Sequence, residues 1–516
     1  MRANSLVQRQ ANSVDSIPAP VGGWNARDSI ANMDPLDAVE LVNLFPTVNN
    51  VALRGGYTQH ATGLPSYVNT LMAYSGGATE KLFAASGTAF YDVTTAGAVG
   101  AAVVSGLTNA IWEYTNVATP GGAFLMAVNG VDNPQLYNGT TWSVPSITGV
   151  TPANLSNITL FKNRLWFIEK NTLKAWYLPT LSIGGAAEYI DLSSVAKYGG
   201  HLVDLDTWTI DAGYGVDDNL AFVTSTGEVI VYRGTDPASA ATWALAGVWK
   251  LGSPIGARCM FKWAGDLLIL TYDGLLPLAQ SLQSSRLDPR VALSNKIQGA
   301  ITEATTLYGG DHAAVGWQIT YSAKNNAVWI NVPVAEGQQE QYVMNTITTS
   351  WCKFQGWSAN CWEMYGDDPY FGGNGYVGKA WTTGDTGYKD NTSNIETTCL
   401  QAFNYFGSRG VKKYFTRARP TIFSNGLPTV GVEINVDFDM EQNIGALNYS
   451  SSTIGLWDLG TWDGSNWGSG MAMNANWQGV TGIGFCGAIR FKSASQQLSM
   501  EWASTDVVYQ LGWAGI

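Results

Sequence analysis

The sequence predicts an all-β protein. It consists of a β-propeller with six to eight blades, an N-terminal arm with a short helix before it, and an antiparallel β-sandwich-like domain after it. Three observations predict this class. Charged residues make up only 13% of the 516 residues, and long helix-forming charged runs are absent. The 58 Gly separate short segments rich in Thr, Val, Tyr and Trp, as in strands joined by tight turns. Hairpin-like segments also recur through the middle of the chain.

The N-terminal part, residues 1–57, is predicted to hold a mobile polar arm over residues 1–20 and then one helix. Asp34 followed by Pro35 is suited to the N-cap and first turn of a helix. Apolar residues then recur at helical spacing, at Ala38, Leu41, Val42 and Phe45. Pro46 is expected to end this helix.

The middle part, residues 58–390, is predicted to be the propeller. Seven segments have an apolar strand, a polar turn and a second apolar strand. Their first large apolar residues are Leu82, Phe124, Leu165, Leu220, Leu267, Val328 and Tyr370. They recur every 40 to 60 residues, roughly, which is closer to the repeat of a four-stranded propeller blade than to that of sandwich hairpins. Turns such as Ser86–Thr88 and Ser225–Gly227 supply the Gly that tight hairpins need.

The last part, residues 391–516, has longer alternating segments and predicts an antiparallel sandwich-like domain. One segment between two of its strands, STIGLWDLGTWDGSNWGSG, carries Trp457, Trp462 and Trp467. Large aromatic rings on such a Gly-bent loop favour a docking tip for a partner subunit. The alternative is a sugar-binding platform, in which these rings stack on a carbohydrate and Asp458 and Asp463 bind its hydroxyl groups.

Composition excludes several classes of protein. The formal net charge of −12 argues against stable binding of nucleic acid by the whole chain, since phosphate binding needs a basic surface. The low charge content also suggests that much of the surface is covered in an assembly. The N-terminus has no apolar core of signal-peptide length, and no window is long and apolar enough to span a membrane. We therefore expect a protein made in a cytosol and not exported by the ordinary route.

The side chains that usually carry chemistry are sparse. There are five Cys, at Cys259, Cys352, Cys361, Cys399 and Cys486. Their odd number and the lack of a CxxC pair predict buried, reduced thiols rather than disulfides or zinc ligands. His60, His201 and His312 are far apart in sequence and are expected to be structural. Asp437 and Asp439 would share one side of a strand, where they could bind calcium or act as an acid/base pair, although a solvent-facing position is favoured. We expect no catalytic residue, cofactor or metal.

The most basic segment of the chain is RGVKKYFTRARP. Its cations are Arg409, Lys412, Lys413, Arg417 and Arg419. In an extended strand Lys413, Arg417 and Arg419 would share one face, which could contact DNA phosphates or a partner. The alternative is a solvated strand paired across a sheet with the acidic segment VEINVDFDM.

Three segments give the chain a resemblance to a known family. They are GGWNARDSIANMDPLDAVELVNLFPTVNNVALRGGY near the N-terminus, AFNYFGSRGVKKYFTRARPTIFSNG, and GLWDLGTWDGSNWG. With these segments, the whole chain loosely resembles the tail hub and nozzle proteins of short-tailed bacteriophages. The shared patterns involve Gly, Trp and R-x-GY rather than catalytic signatures.

The resemblance implies a structural virion protein located in the phage tail and assembled in the host cytoplasm. It implies a homohexameric ring that docks to a tail-tube adaptor, contacts tail fibres or a needle, and forms or gates the channel for genomic DNA. It implies no enzymatic reaction. The alternative function is a propeller-type carbohydrate-binding protein or glycosidase that acts on the host surface.

Overall fold

The fold is given by a computed structural model, which describes residues 12–77, 79–211, 216–263, 265–281, 289–309, 316–335, 337–384, 387–445, 447 and 471–512. The chain forms two compact units. Unit 1 comprises Met1–Thr58, Tyr342–Gly356 and Trp381–Ile516, and unit 2 comprises Gln59–Gln341 and Trp357–Ala380. The predicted N-terminal and C-terminal parts therefore belong to one unit.

Strands dominate the described ranges. The first are β1 (Asn12–Pro18), β2 (Gly23–Trp24), β3 (Asp37–Val42), β4 (Leu44–Pro46), β5 (Val51–Leu53), β6 (Gly56–Ser75), β7 (Glu80–Ser86), β8 (Ala89–Asp92), β9 (Gly97–Ala98), β10 (Val104–Ser105), β11 (Glu113–Thr119), β12 (Gly122–Val128), β13 (Gln135–Tyr137), β14 (Trp142–Ser143), β15 (Ile147–Thr148), β16 (Leu155–Phe161), β17 (Arg164–Glu169), β18 (Lys174–Tyr177), β19 (Gly185–Ala186) and β20 (Glu188–Asp191).

The later strands are β21 (Leu202–Asp211), β22 (Val216–Thr224), β23 (Glu228–Gly234), β24 (Trp243–Lys250), β25 (Met260–Trp263), β26 (Asp266–Thr271), β27 (Gly274–Pro277), β28 (Gln318–Ser322), β29 (Ala327–Ala335), β30 (Gln338–Asn345), β31 (Trp351–Phe354), β32 (Cys361–Tyr365), β33 (Asp368–Gly372), β34 (Asn374–Thr382), β35 (Ile395–Gln401), β36 (Lys413–Ser424), β37 (Thr429–Val436), β38 (Ala472–Asn474), β39 (Gln478–Gly484), β40 (Gly487–Ser495) and β41 (Met500–Leu511). Within the described ranges the α-helices are α1 (Leu278–Ser281) and α2 (Gln298–Tyr308). Short 3-10 helices cover Pro152–Asn154, Leu192–Ser194, Pro289–Val291 and Asn295–Ile297.

The all-β class is confirmed, but the predicted helix between Asp34 and Pro46 is wrong. This segment forms a turn at Asp34, whose side chain accepts a hydrogen bond from the Leu36 backbone, followed by β3 and β4. β3 has a bulge between Ala38 and Glu40 where it pairs with β35. A bulge adds a residue to one strand and so breaks the alternation of period two. The buried residues of β3 consequently mimic helical spacing.

Part of the predicted mobile arm is also ordered. Residues 12–18 form β1, which pairs antiparallel with β41 from Asn12 opposite Gln510 to Pro18 opposite Ser504. The hydroxyl of Tyr509 donates to Asp15 Oδ2 at 2.8 Å. Residues 1–11 lie outside the described residues.

Unit 2 is built of antiparallel sheets whose strands follow one another along the chain. The orders are β11-β12-β13-β14, β16-β17-β18-β20, β21-β22-β23-β24 and β25-β26-β27. β7 pairs with the second half of β6, and β34 pairs with β6 as well. β6 therefore joins the start of unit 2 to its end. Successive meandering sheets, with β6 paired to both β7 and β34, make a propeller-like arrangement.

The predicted hairpins are confirmed, while the number of blades stays a prediction. Each hairpin's first large apolar residue lies on the second of two consecutive antiparallel strands: Leu82 on β7, Phe124 on β12, Leu165 on β17, Leu220 on β22, Leu267 on β26, Val328 on β29 and Tyr370 on β33. The predicted turn glycines Gly87 and Gly227 have φ of +60° and +86°. This left-handed region favours Gly.

Unit 1 contains two sheets. One has the order β38-β36-β41-β5-β4, with β1 added on β41 and β39 on β36. In the other, β3 pairs with β2, β31 and β35, and β40 pairs with both β35 and β37. Phe491 of β40 stacks on Trp502 of β41, with ring centroids 4.5 Å apart. The two sheets therefore pack against each other through their aromatic faces.

Buried Arg54 ties together the three chain segments of unit 1. Its Nε donates to Asn43 Oδ1 at 2.8 Å, and one terminal nitrogen donates to the Gln355 carbonyl at 2.6 Å. Both terminal nitrogens bind the carboxylate of Asp390, at 2.9 and 2.6 Å. A Cβ on Gly356 would lie 2.5 Å from Asp390 Oδ2, so only Gly fits beside the pair.

We predict that Asp390→Asn lowers the free energy of unfolding by about 3–5 kcal/mol, because it leaves the Arg54 guanidinium buried without its counter-charge. Urea denaturation followed by tryptophan fluorescence measures the change. Arg27→Gln is the control, because Arg27 is half-exposed and pairs with Asp28 at the surface. Its effect should stay within about 1 kcal/mol. Equal effects of the two substitutions would contradict the role given to Arg54.

Candidate functional site

Seven strands of unit 2 surround one cavity of about 370 Å³. They are β6, β11, β16, β21, β25, β28 and β32, and all but β6 lie at the edge of a sheet. From β11 to β32, each of these strands contacts the next one. The Thr70 hydroxyl accepts a hydrogen bond from the Trp112 backbone and links β6 to β11. The Cys361 thiol lies 3.4 Å from the Val68 carbonyl and links β32 to β6.

Arg258, just before β25, reaches across this cavity. Its Nε donates to Glu113 Oε1 at 2.7 Å. One terminal nitrogen donates to the Thr70 hydroxyl and to the Trp112 carbonyl, both at 2.8 Å. Since β16 and β21 lie between β25 and β11 in the ring, the guanidinium joins non-adjacent strands. The charged side chain thus binds opposite walls of the cavity together.

Two aspartates of β21 bind the strands on either side. Asp204 accepts hydrogen bonds from the Asn157 side chain at 2.8 Å and from the Met260 backbone at 3.0 Å. Asp206 Oδ1 pairs with the Lys262 ammonium at 2.7 Å. Burial, helped by the nearby charge of Glu113, raises the pKa of Asp204 to about 8. The Asp204 carboxyl therefore titrates slightly above neutral pH.

Glu363 of β32 is the second acid in the cavity wall whose pKa is strongly raised. Desolvation in the cavity wall raises the pKa of Glu363 to about 7, although a hydrogen bond with Tyr114 and the charge of Arg258 act in the opposite direction. Burial and the Glu363 charge raise the pKa of Tyr114 well above its usual value. Thr320 of β28 also lines the cavity and is only 4% exposed. Its hydroxyl has no hydrogen-bond partner among the described residues.

Sequence reasoning missed this site, although a signal for it is present. A polar–apolar–polar triplet stands on the first strand of several sheets: Glu113–Thr115, Asn157–Thr159, Asp204–Asp206 and Gln318–Thr320. The side-chain amide of Gln318 accepts a hydrogen bond from the Trp362 N–H at 2.9 Å and donates one to the Trp362 carbonyl at 2.8 Å. Two triplet residues bind backbone groups of a neighbouring edge strand, Asp204 at Met260 and Gln318 at Trp362. These triplets lie on the strand that precedes each predicted hairpin.

The cations of the basic segment RGVKKYFTRARP fall into two groups in the structure, and two of them have partners inside unit 1. Lys413 is fully buried, and its ammonium donates to the carbonyls of Ser408, Val411 and Phe485. Arg419 pairs with Asp506 at 2.6 Å and lies 4.7 Å from the centre of the Trp477 ring. Both cations are therefore used inside unit 1.

The other three cations are exposed. Arg409 lies over the Tyr405 ring at 4.5 Å, Lys412 lies over the Phe485 ring at 5.6 Å, and Arg417 is exposed on β36. The predicted shared face is wrong, because a register shift between Phe415 and Arg417 turns Arg417 away from the buried side.

The predicted pairing of this strand with VEINVDFDM is also wrong. β36 pairs with β41, β38 and β39, and the acidic segment forms β37 and pairs with β40. Asp437 and Asp439 do not share a strand face, since β37 ends at Val436 and Asp437 has φ +50°. Asp437 Oδ1 instead accepts a hydrogen bond from the Phe485 backbone at 2.7 Å.

Other sequence expectations have mixed outcomes. All five Cys are buried and free, as predicted, and burial raises the pKa of the Cys352 thiol well above its usual value. His60 is hydrogen-bonded to the Val93 carbonyl at 2.9 Å, which is a structural role. His312 and the docking candidates Trp457, Trp462 and Trp467 lie outside the described residues. No helix in the described ranges is long and apolar enough to cross a membrane.

No family model and no curated protein matches the chain. Several solved structures are distantly similar to the chain. The Swd1 (Cps50) β-propeller domain of Myceliophteria thermophila is 13% identical, with a TM-score of 0.39, and the match covers 64% of this chain and 100% of that domain. BBS1N in complex with ARL6DN is 9% identical, with a TM-score of 0.38, over 64% of this chain and 97% of that chain. The computationally designed protein Ika8 is 11% identical, with a TM-score of 0.36, over 63% and 99%. Likenesses this distant carry no argument about function.

We predict that Glu363→Gln changes how stability depends on pH. The raised pKa means that the folded protein keeps the Glu363 proton while the unfolded chain loses it. The wild type should therefore lose stability as the pH rises from about 5 to about 8. The Gln variant carries no such proton, so its stability relative to the wild type should rise over this range.

Thermal and urea unfolding of both proteins at several pH values measures this difference. Asp367→Asn is the matched control, since Asp367 is exposed on the β32–β33 turn. A stability difference between Glu363→Gln and the wild type that does not change with pH would contradict the assignment.

Proposed function

We propose that this chain is a structural subunit of the tail nozzle or hub of a short-tailed bacteriophage. It acts as a homo-oligomeric ring, a hexamer, that docks to a tail-tube adaptor and contacts tail fibres or a needle. Assembly takes place in the host cytoplasm, and the finished protein resides in the virion tail. Unit 2 is a seven-bladed propeller in this proposal, with the seven strands around its cavity as the innermost strands. The sequence resemblance of three segments supports this family.

An exposed apolar strip on unit 1 is the observation that carries the proposal of an assembly. It includes Phe423 of β36, Met473 of β38 and Trp477, which are 36%, 64% and 43% exposed. Phe423 and Met473 stand directly opposite each other on paired strands. Monomeric soluble proteins rarely expose contiguous apolar surface, whereas subunit interfaces contain it. We infer that the strip packs against a neighbouring subunit.

The charges of the chain support a structural role. In the cavity of unit 2, Glu113 and Asp206 are held by Arg258 and Lys262. Arg258 crosses the cavity, so a path for DNA would run between copies of the chain and not along the axis of unit 2. The exposed cations Arg409, Lys412 and Arg417 are our candidates for contact with DNA or a partner, and buried Lys413 is excluded.

The carbohydrate-binding or glycosidase alternative stays a prediction. Its aromatic platform, Trp457, Trp462 and Trp467, lies outside the described residues, as do Asp458 and Asp463. None of the described contacts favours it over the structural role.

We predict that the purified full-length chain assembles into a hexamer and that Met473→Asp weakens this assembly. Burying a carboxylate in an apolar contact is costly, so the dissociation constant should rise by about tenfold or more. Sedimentation velocity over a range of concentrations measures it. Leu307→Asp is the control, because Leu307 is 59% exposed on α2 of unit 2. A wild type that stays monomeric at all concentrations, or a Met473→Asp variant that assembles normally, would contradict the proposal.

A further inference from the structure

Strand β1 of unit 1 has one open edge. Among the described residues its strand partner is β41, and no strand pairs with its other side. The Ala19 N–H donates to the Ala503 carbonyl at 2.9 Å, so these two residues form a hydrogen-bonded pair at the end of β1. Hydrogen-bonded and non-hydrogen-bonded pairs alternate along antiparallel strands. The backbone N–H and carbonyl groups of Val14 and Ser16 therefore point away from β41, toward the open edge.

The Pro18 carbonyl shows that this edge attracts polar groups. By the same alternation it faces away from β41, and it accepts a hydrogen bond from the Gln401 side chain at 2.8 Å. No described side chain binds the outward groups of Val14 and Ser16 in this way. Such an edge is a template for the addition of a strand.

Two cavities of unit 1 form one groove along this edge. The smaller, of about 300 Å³, is lined by the four consecutive residues 15–18 and by Phe406. Because side chains alternate between the faces of a strand, a cavity that touches four consecutive residues runs along the edge of β1. No residue of β41 lines it, so this edge is the open one. The larger cavity, of about 420 Å³, shares Pro35, Asn404 and Gly407 with the smaller one.

The walls of this groove are apolar and fixed by packing. The Phe406 ring lies 5.2 Å from the Phe415 ring and 5.1 Å from the Tyr509 ring, measured between centroids. Met33 and Phe403, which line the larger cavity, are only 7% and 5% exposed. A groove formed in advance by packed side chains binds a ligand without the cost of ordering itself.

The free polar side chains of the groove are donors. Arg409 lines the larger cavity, with its guanidinium 4.5 Å from the centre of the Tyr405 ring, and no ion pair within the described ranges joins it to a carboxylate. Asn404 Oδ1 accepts a hydrogen bond from the Phe406 N–H at 2.7 Å, which leaves Asn404 Nδ2 to donate to a ligand. Asp15, the acid among the lining residues, is already hydrogen-bonded inside unit 1. Guanidinium and amide donors together match a carboxylate.

We propose that this groove binds an extended segment of a partner protein, added as a strand on β1, with an acidic side chain of the segment at Arg409 and Asn404. The backbone of the segment pairs with the outward groups of Val14 and Ser16. Every second side chain of the segment enters the groove, where apolar residues fit. A nucleic acid has no row of N–H and carbonyl groups to pair with a strand edge, so the occupant is a protein. This inference does not depend on the tail-nozzle proposal.

Fluorescence anisotropy of the full chain with labelled peptides tests the proposal. The probe is a pool of acetylated Ser-X-Thr-X-Glu-Ser peptides, in which X is Val, Ile, Leu or Phe, and the matched pool carries Gln in place of Glu. We expect saturable binding of the Glu pool, at least about tenfold tighter than that of the Gln pool. A Glu pool with N-methylated backbone should lose binding, because it cannot pair with the edge of β1. Equal binding of the Glu and Gln pools, no binding of either, or full binding of the N-methylated pool would overturn the proposal.

Variants of the chain locate the site. Arg409→Gln should lower the affinity for the Glu pool to that for the Gln pool. Lys412→Gln is the matched control, because Lys412 is an exposed cation that does not line the groove, and it should leave both affinities unchanged. Ser16→Pro removes an N–H that β41 does not use, at an edge position where Pro is tolerated, and should weaken both pools. If Ser16→Pro fails to fold, Arg409→Gln still decides, since wild-type affinity in a folded Arg409→Gln protein would refute the assignment.

Two competition measurements identify a different occupant. Single-stranded oligothymidylate should not displace the bound Glu pool, and displacement from the wild type would make nucleic acid the occupant. Peptide binding should also persist at chain concentrations where the protein assembles, and its loss on assembly would make a second copy of the chain the occupant. Either result would overturn the proposal.

Discussion

The guanidinium of Arg258 holds the centre of unit 2. Six of the seven strands around the cavity are edge strands, and each edge carries backbone N–H and carbonyl groups that no further strand can pair. Arg258 binds Glu113, Thr70 and the Trp112 carbonyl from across this axis. Asp204 and Gln318 bind backbone groups of neighbouring edge strands in the same way. The cavity exists because these side chains, and not a continuous sheet, close the ring.

This use of charge explains the character of the site. Two of its four acids are neutralised by cations that also join strands. The other two are desolvated enough that their protons are held to near-neutral pH. Such a centre is suited to mechanical cohesion. The two ion pairs of this centre thus connect strands, which agrees with the proposed structural role.

Much of unit 2 could be predicted from the sequence, because each hairpin carries its own local signals. Leu82 and its counterparts mark the second strand of each consecutive antiparallel pair, and Gly87 marks a turn that needs positive φ. The residues around the cavity, such as Arg258 and Glu113, were not predicted, because their contacts join strands that are far apart in the chain. Neither Arg258 nor Glu113 has a neighbour in sequence that reveals its partner.

In unit 1 the predicted helix and the predicted shared face of the cations are wrong for one physical reason. A bulge changes which side chains face the core without changing composition. The bulge at Ala38 made a strand resemble a helix, and the shift after Phe415 separated Lys413 from Arg417. Strand partners were also misjudged, since β36 pairs with β41 rather than with the next strand in the chain. Periodicity alone contains no information about such long-range pairing.

Hydrogen exchange of Arg258→Met, followed by mass spectrometry, tests most directly whether this side chain holds the ring together. The account predicts that peptides covering β6 and β11 lose protection in the variant, while peptides of β36 and β41 in unit 1 exchange as in the wild type. Unchanged protection of β6 and β11 would contradict it, because the ring would then be held without the crossing guanidinium.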